Sequence, residues 1–471
     1  MTAREMVWDL LSEVNEQGAL SHVAYAEALE KYNPGAEERA FATRLFHGTL
    51  ERQQTIDRVL EIQAKRPVGK IKARVRELLR LSAYQLLFLT GVPASAACNE
   101  AVSMAKRRGL TGLSGFVNGV LRGIARAVEN AGGAREYVIG LAREMSPTES
   151  LCFRYSVPEW MVELWQREYP KVDLETMLAA YVAESPLSVR LNKSRAEMPE
   201  LIESLTAEGA DPLPGILPNV LRLTEGGNPS RYTAYGKGWF SVQDESAVLA
   251  GNLLPLAAGM HVLDLCAAPG GKTVHAADEL AVLDREAAED KEIKLVSSVE
   301  ARDIKEEKIA KIREQAERVG LSNVTCRAFD ASEYDETLDG WADVVIADVP
   351  CSGLGVIGRK PDIKTKTKPE DIEALANVQR SILRRAVKYL RPGGYLAYST
   401  CTVARAENAD MAAFIISELG LTPVDLREKL PAVLRSSELQ KSGTTAEGIQ
   451  IFPEAGRWDG FFIAGFRKPQ E

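Results

Sequence analysis

The stretch HVLDLCAAPGGKT, residues 261–273, decides the fold of the C-terminal half of the chain. Residues 261–267 predict a buried strand, the small residues after them a tight turn, and the following sequence a helix. Beyond Gly236, short apolar runs and amphipathic helical stretches continue to alternate. Further strands are predicted at 295–301, 324–330, 342–350 and 394–402. The pattern predicts a doubly wound, mostly parallel α/β sheet, with ligands at the carboxyl ends of its strands.

The N-terminal half has a different pattern. Residues 1–126 place apolar side chains at helical spacing and contain no stretch that alternates like a strand. Gly132 and Gly133 then predict a linker. We therefore predict three domains, which are an all-α domain over residues 1–135, a small α+β segment over 147–235 and the α/β domain over 236–471.

Composition excludes several classes of protein. The 471 residues are 45% hydrophobic and 26% charged, with a net charge of −8, which is typical of a globular protein. Six cysteines stand singly without a Cys-X-X-Cys pair and there are four histidines, so we expect no metal site and a reducing, cytoplasmic location. The acidic N-terminus lacks the pattern of a signal peptide. The uncharged run Leu81–Asn99 is interrupted by polar residues, glycine and proline, so we expect no membrane span.

Positive charge is concentrated in one part of the acidic chain. Residues 61–126 hold 12 basic and 3 acidic side chains. Lys72, Arg76 and Arg80 stand at i, i+4 and i+8, which places them along one face of a helix. A second cluster is Lys106, Arg107 and Arg108. A single stripe of this kind is usually a solvated helix surface, but the local excess favours phosphate binding.

Two glycine-rich motifs partly match nucleotide-binding motifs, but the residues around them do not fit that function. Gly271-Lys272-Thr273 ends like a phosphate-binding loop, yet that loop requires a glycine five positions before Gly271, where this chain has Cys266. Residues 353–358 match a dinucleotide fingerprint, but Pro361 prevents the helix that must follow. The first motif predicts either a close backbone approach to a ligand at a helix N-terminus or simply a tight strand-to-helix turn.

Two predicted strands each end in a cysteine. Cys351 follows Asp348-Val349-Pro350, and Cys401 follows Ser399-Thr400. Neighbouring parallel strands deliver such residues to one cleft, where an accessible thiol is partly ionised at neutral pH. No histidine is near either cysteine in sequence, so a cysteine-protease arrangement is not supported. We expect Cys98, Cys152 and Cys326 to be small core residues.

Several motifs together resemble the RNA 5-methylcytosine methyltransferases. They are LDLCAAPGGKT (263–273), DVPCSGLGVIGRKPDIK (348–364), YSTCTVARAEN (398–408), WDGFFIAGFRK (458–468) and VQDESA (242–247). In the N-terminal half, residues 80–102 and 115–126 resemble the RNA-binding domain of the antitermination factor NusB. The pairing resembles bacterial enzymes that act on small-subunit ribosomal RNA, and it extends over nearly the whole chain. It implies a Rossmann-like methyltransferase domain, an RRM-like segment and a NusB-like domain.

The resemblance implies a covalent mechanism. Carbon 5 of cytosine is too poor a nucleophile to accept a methyl group directly, so these enzymes add a thiolate to carbon 6. By similarity, Cys401 is this nucleophile and Cys351 assists release of the methylated base. DNA methyltransferases use the Pro-Cys thiol instead, so spacing alone leaves the two roles interchangeable. Asp348 is implied to hold the edge of the cytosine ring, with Lys272 as a cation beside it.

S-adenosylmethionine is the implied cofactor. By similarity, Asp303 holds its ribose hydroxyls and Asp330 approaches its adenine. Asp303 lies 31 positions beyond Lys272, farther than the family pattern, which the predicted surface insertion at 284–294 explains. Glu300 remains the alternative for the ribose. The remaining implied cofactor-binding residues are Cys266, Ala267, Ala268, Pro269, Gly270, Gly271, Lys272 and Asp348.

A basic stretch follows the Pro-Cys strand. Arg359 and Lys360, with Lys364, Lys366 and Lys368, suit the phosphates of RNA, although such loops are often merely exposed. Glu407 and Asn408 are interpreted as structural support for the loop of Cys401. The expected protein is monomeric, with ribosomal RNA as its partner.

Two alternatives remain open. One is a non-catalytic, NusB-like protein of transcription antitermination. The other is an amino-group RNA methyltransferase, which typically has Asn/Asp-Pro-Pro-aromatic where this chain has Asp348-Val349-Pro350-Cys351.

Overall fold

The structure, a computed structural model, describes residues 2–183, 185–224, 228–291 and 296–470. By packing, the chain divides into two compact units. The helical unit runs to Arg167 and also includes Ile357–Lys366. The sheet unit contains Glu168–Val356 and the residues from Thr367 onward.

The described residues of the helical unit form helices and turns, which confirms the predicted all-α fold. Fully buried side chains such as Trp8, Phe46, Leu78 and Leu121 fill one apolar core. The chain continues past the glycine pair at 132–133 into three more helices of the same unit. The helices are α1 Ala3–Gln17, α2 Ser21–Tyr32, α3 Ala36–Glu51, α4 Gln53–Ala64, α5 Ala73–Phe88, α6 Ala94–Arg107, α7 Ser114–Asn130, α8 Ala134–Ala142, α9 Pro147–Tyr155 and α10 Glu159–Glu168.

The sheet unit begins with a small antiparallel sheet. Its four strands lie in the order β2-β3-β1-β4, and Val189 pairs with Leu221 on one side and Val242 on the other. Phe240 and Leu201 are buried in the core beneath this sheet. The elements are α11 Leu174–Ala180, β1 Leu187–Leu191, α12 Met198–Ala207, β2 Pro212–Pro214, β3 Val220–Leu223, α13 Thr233–Gly236, β4 Phe240–Val242 and α14 Glu245–Asn252.

A large mixed sheet of eight strands forms the rest of the unit. Strands β7-β6-β5-β8-β9 are parallel neighbours in that order, and β12 then pairs antiparallel with β9, β10 and β11. The elements are β5 His261–Asp264, α15 Gly271–Lys291, β6 Ser298–Asp303, α16 Glu306–Val319, β7 Val324–Ala328, β8 Ala342–Asp348, α17 Ile363–Lys366 (in the helical unit), α18 Pro369–Tyr389, β9 Leu390–Thr400, α19 Ala409–Ser417, β10 Thr422–Val424, α20 Ala432–Ser436, α21 Glu438–Lys441, β11 Ile449–Ile451 and β12 Phe461–Arg467.

Alternating side chains of the central strands enter two different cores. Val262 and Val344 pack with residues of α15 on one face, whereas Leu263 and Val345 pack with residues of α18 and α19 on the other. A sheet buried on both faces explains why its strands are continuous apolar runs. This architecture confirms the predicted doubly wound α/β fold.

Each predicted parallel strand is present, although its ends differ by a few residues from the prediction. Strands β6 and β7 lie on one side of β5. Strands β8 and β9 lie on its other side, so the strand order reverses between β5 and β8. At the start of the predicted insertion at 284–294, Asp284 accepts hydrogen bonds from the backbone N atoms of Gly259 and Ser297 at 2.9 and 2.8 Å. Residues 292–294 of this insertion lie outside the described part of the chain. Across the described ranges, we find no helix of the length and apolar character that a membrane span requires.

Candidate active site

The carboxyl ends of the parallel strands surround a cavity of about 320 Å³. It lies where the strand order reverses, which is the usual ligand position in a doubly wound sheet. The lining residues follow β5 (Leu265, Cys266, Ala268), β6 (Asp303, Ile304, Lys308), β7 (Phe329, Asp330, Ala331), β8 (Asp348, Val349, Pro350, Cys351) and β9 (Cys401), with Val378 and Ile382 from α18. The cavity therefore collects side chains from all five parallel strands.

The two cysteines that follow neighbouring strands meet in this cavity. The register of β8 and β9 places Asp348 beside Ser399, so the loops after these strands leave the sheet side by side. The Sγ atoms of Cys351 and Cys401 are 3.5 Å apart. This hydrogen bond and burial raise the pKa of Cys351 well above its ordinary value. Cys351 thus keeps its proton when the neighbouring sulfur is ionised.

Asp348 forms a charged pair at the same edge of the sheet. Its Oδ2 accepts a bond from Lys272 Nζ at 2.6 Å, and its Oδ1 accepts one from Ser399 Oγ at 2.7 Å. Lys272 Nζ also lies 5.0 Å from the centre of the Phe461 ring. The carboxylate keeps a third of its side-chain surface exposed in the cavity, so it is oriented and still open to a ligand.

Glu407 links the loops of the two cysteines. Its carboxylate accepts bonds from the Ser352 backbone N at 2.9 Å and from Gln379 Nε2 at 3.0 Å, and it also accepts from Ser352 Oγ. Ser352 Oγ lies 2.7 Å from Thr402 Oγ1, next to Cys401. Burial raises the pKa of Glu407. This buried residue therefore holds the segments of both thiols together.

Asn408 supports the second loop from the other side. Its Oδ1 accepts from Thr400 Oγ1 at 2.6 Å, and its Nδ2 donates to Thr402 O at 3.0 Å and to Gln450 Oε1 at 2.6 Å. Gln450 in turn donates to Thr402 O at 3.3 Å. These bonds agree with a supporting role for Glu407 and Asn408, and Gln450 is a member of the network that the sequence pattern did not reveal.

Small residues shape the turn between β5 and α15. Gly270 has a φ of +109°, and a Cβ there would lie 3.4 Å from the Cα of Ile312. Its N donates to Ala267 O at 2.7 Å. Of the residues expected at a cofactor, those that line the cavity are Cys266, Ala268, Asp303, Asp330 and Asp348, and those that build the turn behind it are Ala267, Pro269, Gly270 and Gly271.

The two candidates for the ribose differ in position. Asp303 lines the cavity, accepts from the backbone N of Ala268 at 3.2 Å and pairs with Lys308 Nζ at 3.1 Å. Glu300 instead accepts from Arg302 Nε at 2.6 Å. The cavity therefore presents Asp303, with Lys308 as a neighbour that spacing did not predict.

Asp264 is a buried acid that the sequence analysis did not single out. It is the last residue of β5, and its Oδ2 accepts from Thr273 Oγ1 at 2.6 Å. Burial raises its pKa from 3.8 to about 7. Its signal was its place inside an apolar strand that ends at the glycine-rich turn.

The second glycine motif serves packing. A Cβ on Gly355 would lie 2.0 Å from the carbonyl oxygen of Gly460. Gly355 N donates to Cys401 O at 3.0 Å, and Gly460 N donates to Gly355 O at 2.9 Å. The motif thus lets two backbones cross beside Cys401, in agreement with the rejection of a dinucleotide site.

The helical unit corrects part of the predicted phosphate-binding surface. Arg80 is 6% exposed and forms two bonds to Asp57, at 2.7 and 2.6 Å, and one to Glu77 at 2.7 Å. Arg76 pairs with Glu16 and Glu77. These cations hold helices together, so the predicted RNA contact of Arg80 is wrong and that of Arg76 is largely blocked.

The remaining predicted cations of the helical unit are more accessible. Arg107 bonds the buried Glu5 at 3.0 Å and Glu100 at 2.8 Å, and Arg108 bonds Asp9 at 3.0 Å. The bonds to Glu100 and Asp9 are exposed. The exposed lysines are Lys72 and Lys106. The surface that faces solvent therefore carries fewer unpaired cations than the sequence suggested.

The basic stretch after the Pro-Cys strand also contains both exposed and buried cations. Arg359 and Lys360 are exposed. Lys364 is buried in the helical unit, where its Nζ donates to Glu51 O at 2.6 Å and burial lowers its pKa to about 7. Lys366 Nζ donates to Ala19 O at 2.5 Å. The expectation that Lys364 and Lys366 contact RNA is corrected, because both are occupied by backbone carbonyl groups.

Within the described ranges, no group of three or more His, Cys, Asp or Glu side chains is arranged to hold a metal ion. The cavity offers thiols, carboxylates, amines and apolar side chains. Thiols, carboxylates and amines can carry out nucleophilic attack and proton transfer.

Models of three protein families match the chain. The model described as 16S rRNA methyltransferase RsmB/F matches residues 252–467. The NusB family model matches residues 1–126. A ferredoxin-like domain of RsmF/B-like methyltransferases matches residues 157–228.

Similar proteins cover the chain from end to end. Probable ribosomal RNA small subunit methyltransferase B of Bacillus subtilis (strain 168) is 33% identical over 99% of this chain and 99% of its own. The crystal structure of PH0851 covers 99% of this chain and 98% of its own, with a TM-score of 0.77 and 22% identity, which is a likeness of fold. The structure of NSun6 from Pyrococcus horikoshii with SFG, an analogue of S-adenosylmethionine, covers 66% of this chain and 98% of its own, with a TM-score of 0.53 and 21% identity.

Proposed function

Because the chain belongs to the RsmB/F family of 16S rRNA methyltransferases, we propose that it methylates carbon 5 of a cytosine in small-subunit ribosomal RNA, with S-adenosylmethionine as the donor. One observation carries the proposal. The Sγ atoms of Cys351 and Cys401 lie 3.5 Å apart in the cavity that Asp348 and the glycine-rich turn also line. A methyltransferase that acts on an amino group needs neither thiol.

Cys401 is the proposed nucleophile. Its thiolate adds to carbon 6 of the cytosine, and the electron pair of the C5–C6 bond then makes carbon 5 nucleophilic. Cys351 lies 3.5 Å from this sulfur, a distance at which either thiol can be the donor, and it supports the ionisation when its own S–H donates to Cys401. Geometry alone leaves the two roles interchangeable, and the family resemblance assigns them.

Asp348 and Lys272 stabilise the charge that the addition creates. Negative charge moves from the sulfur into the pyrimidine ring, and the ring takes up a proton at the nitrogen that faces Asp348. The hydrogen bond that this N–H donates to the carboxylate strengthens as the reaction proceeds. Lys272 and Ser399 hold the Asp348 carboxylate at 2.6 and 2.7 Å. The carboxylate thus meets the ring in one orientation.

Release of the product requires two bonds to break. The proton on carbon 5 passes to a base, and the electron pair that it leaves restores the C5–C6 double bond and expels the Cys401 thiolate. Cys351 assists this step, because it is the thiol next to the sulfur that departs. The order of events returns both cysteines to their starting state.

The other half of the cavity suits S-adenosylmethionine. The bound cofactor supplies an electrophilic methyl group. Asp303 and Asp330 both line the cavity, which supports the assignment of Asp303 to the ribose hydroxyls and of Asp330 to the adenine. Ile304 and Val378 line the cavity and are 59% and 44% exposed, so they offer open apolar surface that would suit an adenine ring.

RNA must present its cytosine unstacked, at a cost of a few kcal/mol, which contacts elsewhere on the RNA offset. We assign such contacts to exposed cations of the helical unit, namely Lys72, Lys106, Arg359 and Lys360. We propose that residues 1–135 and 147–235 bind the RNA and that residues 236–471 catalyse methyl transfer.

Nucleoside analysis tests the proposed function. The protein is incubated with small-subunit ribosomal RNA and S-adenosylmethionine labelled in its methyl group, and the RNA is then digested. We expect label in 5-methylcytidine. Label in an N-methylated nucleoside would indicate an amino-group methyltransferase, and the absence of label from both free RNA and partly assembled subunits would favour a non-catalytic RNA-binding protein. Bisulfite sequencing of ribosomal RNA from cells with and without the protein then identifies the nucleotide.

A further inference from the structure

The structure holds six free cysteines and brings Cys351 and Cys401 into contact across 3.5 Å. We propose that these two thiols form a peroxide-reactive site, which a hydroperoxide oxidises to a reversible disulfide within the chain. The disulfide itself depends only on this geometry. The loss of methyl transfer that it would cause rests on the proposed function.

The geometry requires a small movement. A disulfide has an S–S length of about 2.05 Å, so the two sulfurs must approach by about 1.5 Å. Strand β8 ends at Asp348 and strand β9 ends at Thr400, so both cysteines lie in the loops beyond the hydrogen-bonded ladder. The approach therefore leaves the pairing of the strands intact.

Both sulfurs are accessible to a small oxidant. Cys351 and Cys401 line the cavity of about 320 Å³, and a hydroperoxide is smaller than the substrates proposed for it. The contact with Cys401 and burial raise the pKa of Cys351. By the roles that the family resemblance assigns, Cys401 is the sulfur that attacks the peroxide and Cys351 is the one that follows. Reactivity toward peroxides increases with thiolate character and exposure.

The reaction balances in two steps. The Cys401 thiolate attacks one oxygen of hydrogen peroxide, the O–O bond breaks, and the products are a sulfenic acid and hydroxide, which takes a proton to become water. Cys351 then loses its proton and attacks the oxidised sulfur, and the S–O bond breaks to release a second water. Two sulfurs have together supplied the two electrons that reduce the peroxide.

The neighbouring thiol also explains why the product is reversible. A sulfenic acid without a partner proceeds to sulfinic and sulfonic acids, which thiols do not reduce. Here the second sulfur is already in contact, so the disulfide forms first and a dithiol reductant restores both groups. The oxidised protein has lost the nucleophile of the proposed reaction until it is reduced.

Mass spectrometry of the full-length protein tests the inference. The reduced protein is treated with a small excess of hydrogen peroxide, the excess is removed with catalase, and the protein is denatured and alkylated without reductant. We expect the number of alkylated thiols to fall from six to four, a cross-linked peptide that joins residues 351 and 401, and the return of all six thiols after dithiothreitol.

Two variants sharpen the result. Cys351→Ser should form no cross-link and should accumulate a sulfenic acid at Cys401 that dimedone captures. The matched control Cys326→Ser removes another partly exposed cysteine and should retain the cross-link. Six alkylated thiols in the treated wild type, a cross-link between another pair, or conversion directly to sulfinic acid would overturn the inference. A cross-link in a protein that methylates no cytosine would support it while the proposed function failed.

Discussion

Two charged clusters in this protein have similar bond lengths and very different surroundings. Lys272 and Asp348 are 2.6 Å apart beside the cavity, and the Asp348 side chain keeps 33% of its surface exposed. Arg80 lies 2.6 Å from Asp57 and 2.7 Å from Glu77, and the Glu77 side chain is 0% exposed. The first cluster can exchange part of its bonding for a substrate. The second is enclosed by helices and can only stabilise them.

The difference comes from the elements that carry the residues. Parallel strands end at one edge of their sheet, so polar residues after them remain at an open surface. Helices pack along their length, so a cation beside the apolar stripe of α5 is covered by its neighbours. We therefore expect substitutions near the cavity to change chemistry and substitutions at Arg80 to change stability.

The largest expected effect is the loss of catalysis at the sulfur that bonds the base. Cys401→Ala should abolish turnover and leave the thermal unfolding midpoint nearly unchanged, because only a half-buried thiol is removed. Cys351→Ala should instead permit attack and stall release, so that a covalent protein–RNA adduct accumulates on a denaturing gel. An adduct with Cys401→Ala and none with Cys351→Ala would reverse the two assignments.

A large but smaller effect is expected at the open charged pair. Asp348→Asn should slow methyl transfer by about 10² to 10⁴, as expected of a positioned group that handles a proton. Single-turnover assays at saturating RNA measure this step directly. The control is Asp211→Asn, an exposed carboxylate of the same unit. A near-normal rate for Asp348→Asn would remove Asp348 from the mechanism and weaken the contrast between the clusters.

Substitution in the enclosed cluster of Arg80, Asp57 and Glu77 should lower the stability of the protein. Arg80→Met leaves the largely buried Asp57 without its cation and the buried Glu77 with only Arg76, which costs about 3–5 kcal/mol of unfolding free energy. Urea denaturation followed by a signal of the helical unit checks this value. Lys72→Met, on an exposed residue at the start of the same helix, should stay within about 0.5 kcal/mol of wild type. Equal costs for the two variants would mean that burial does not distinguish these cations.

A pH-dependent effect is expected from the buried acid behind the cavity. Because the pKa of Asp264 rises from 3.8 to about 7, the folded protein holds a proton between these values that the unfolded chain releases. Its contribution to stability therefore falls as the pH rises from about 4 to about 7 and is constant above that window. Asp264→Asn should remove this slope. Thermal unfolding midpoints at pH 5 and pH 7.5 that differ as much in the variant as in wild type would contradict the assignment.

The smallest expected effect concerns the cations that remain exposed. If Lys72 and Lys106 each contact one phosphate, their replacement by Gln should lower the slope of log affinity against log salt by about 0.7 per lysine for single-stranded RNA. Filter binding at several salt concentrations gives this slope. Arg80→Met should leave it unchanged in protein that is still folded, and a change there would contradict the corrected role of Arg80.

Much of the candidate site was predictable from the sequence, because residues that follow parallel strands lie at the same edge of the sheet. Strand assignment predicted that Cys351 and Cys401 share one cleft, whereas Asp348 was singled out by the family resemblance. The role of Glu407 in joining the two cysteine loops was not predictable in detail, since its bond to Ser352 spans 55 positions of sequence. Lys308 was missed for a related reason, because nothing in its own helix indicates that it turns toward Asp303.

Arg80 illustrates where local spacing misled. Spacing placed Lys72, Arg76 and Arg80 on one helical face. Arg76 and Arg80 do lie one turn apart in α5, whereas Lys72 precedes the helix as its N-cap residue. Spacing carries no information on what covers that face, and here Asp57 from α4 covers the end that holds Arg80. Burial and partner choice depend on helices that are distant in sequence.

The sequence alone determined the two architectures, the kinds of reactive groups and the strand ends that carry them, because hydrophobic periodicity and turn residues act locally. Tertiary structure decided that the two sulfurs lie within 3.5 Å of each other and that Asp348 is exposed while Arg80 is enclosed. These properties depend on the register between strands and on the packing of distant helices. Both are set by contacts between side chains that lie far apart along the chain.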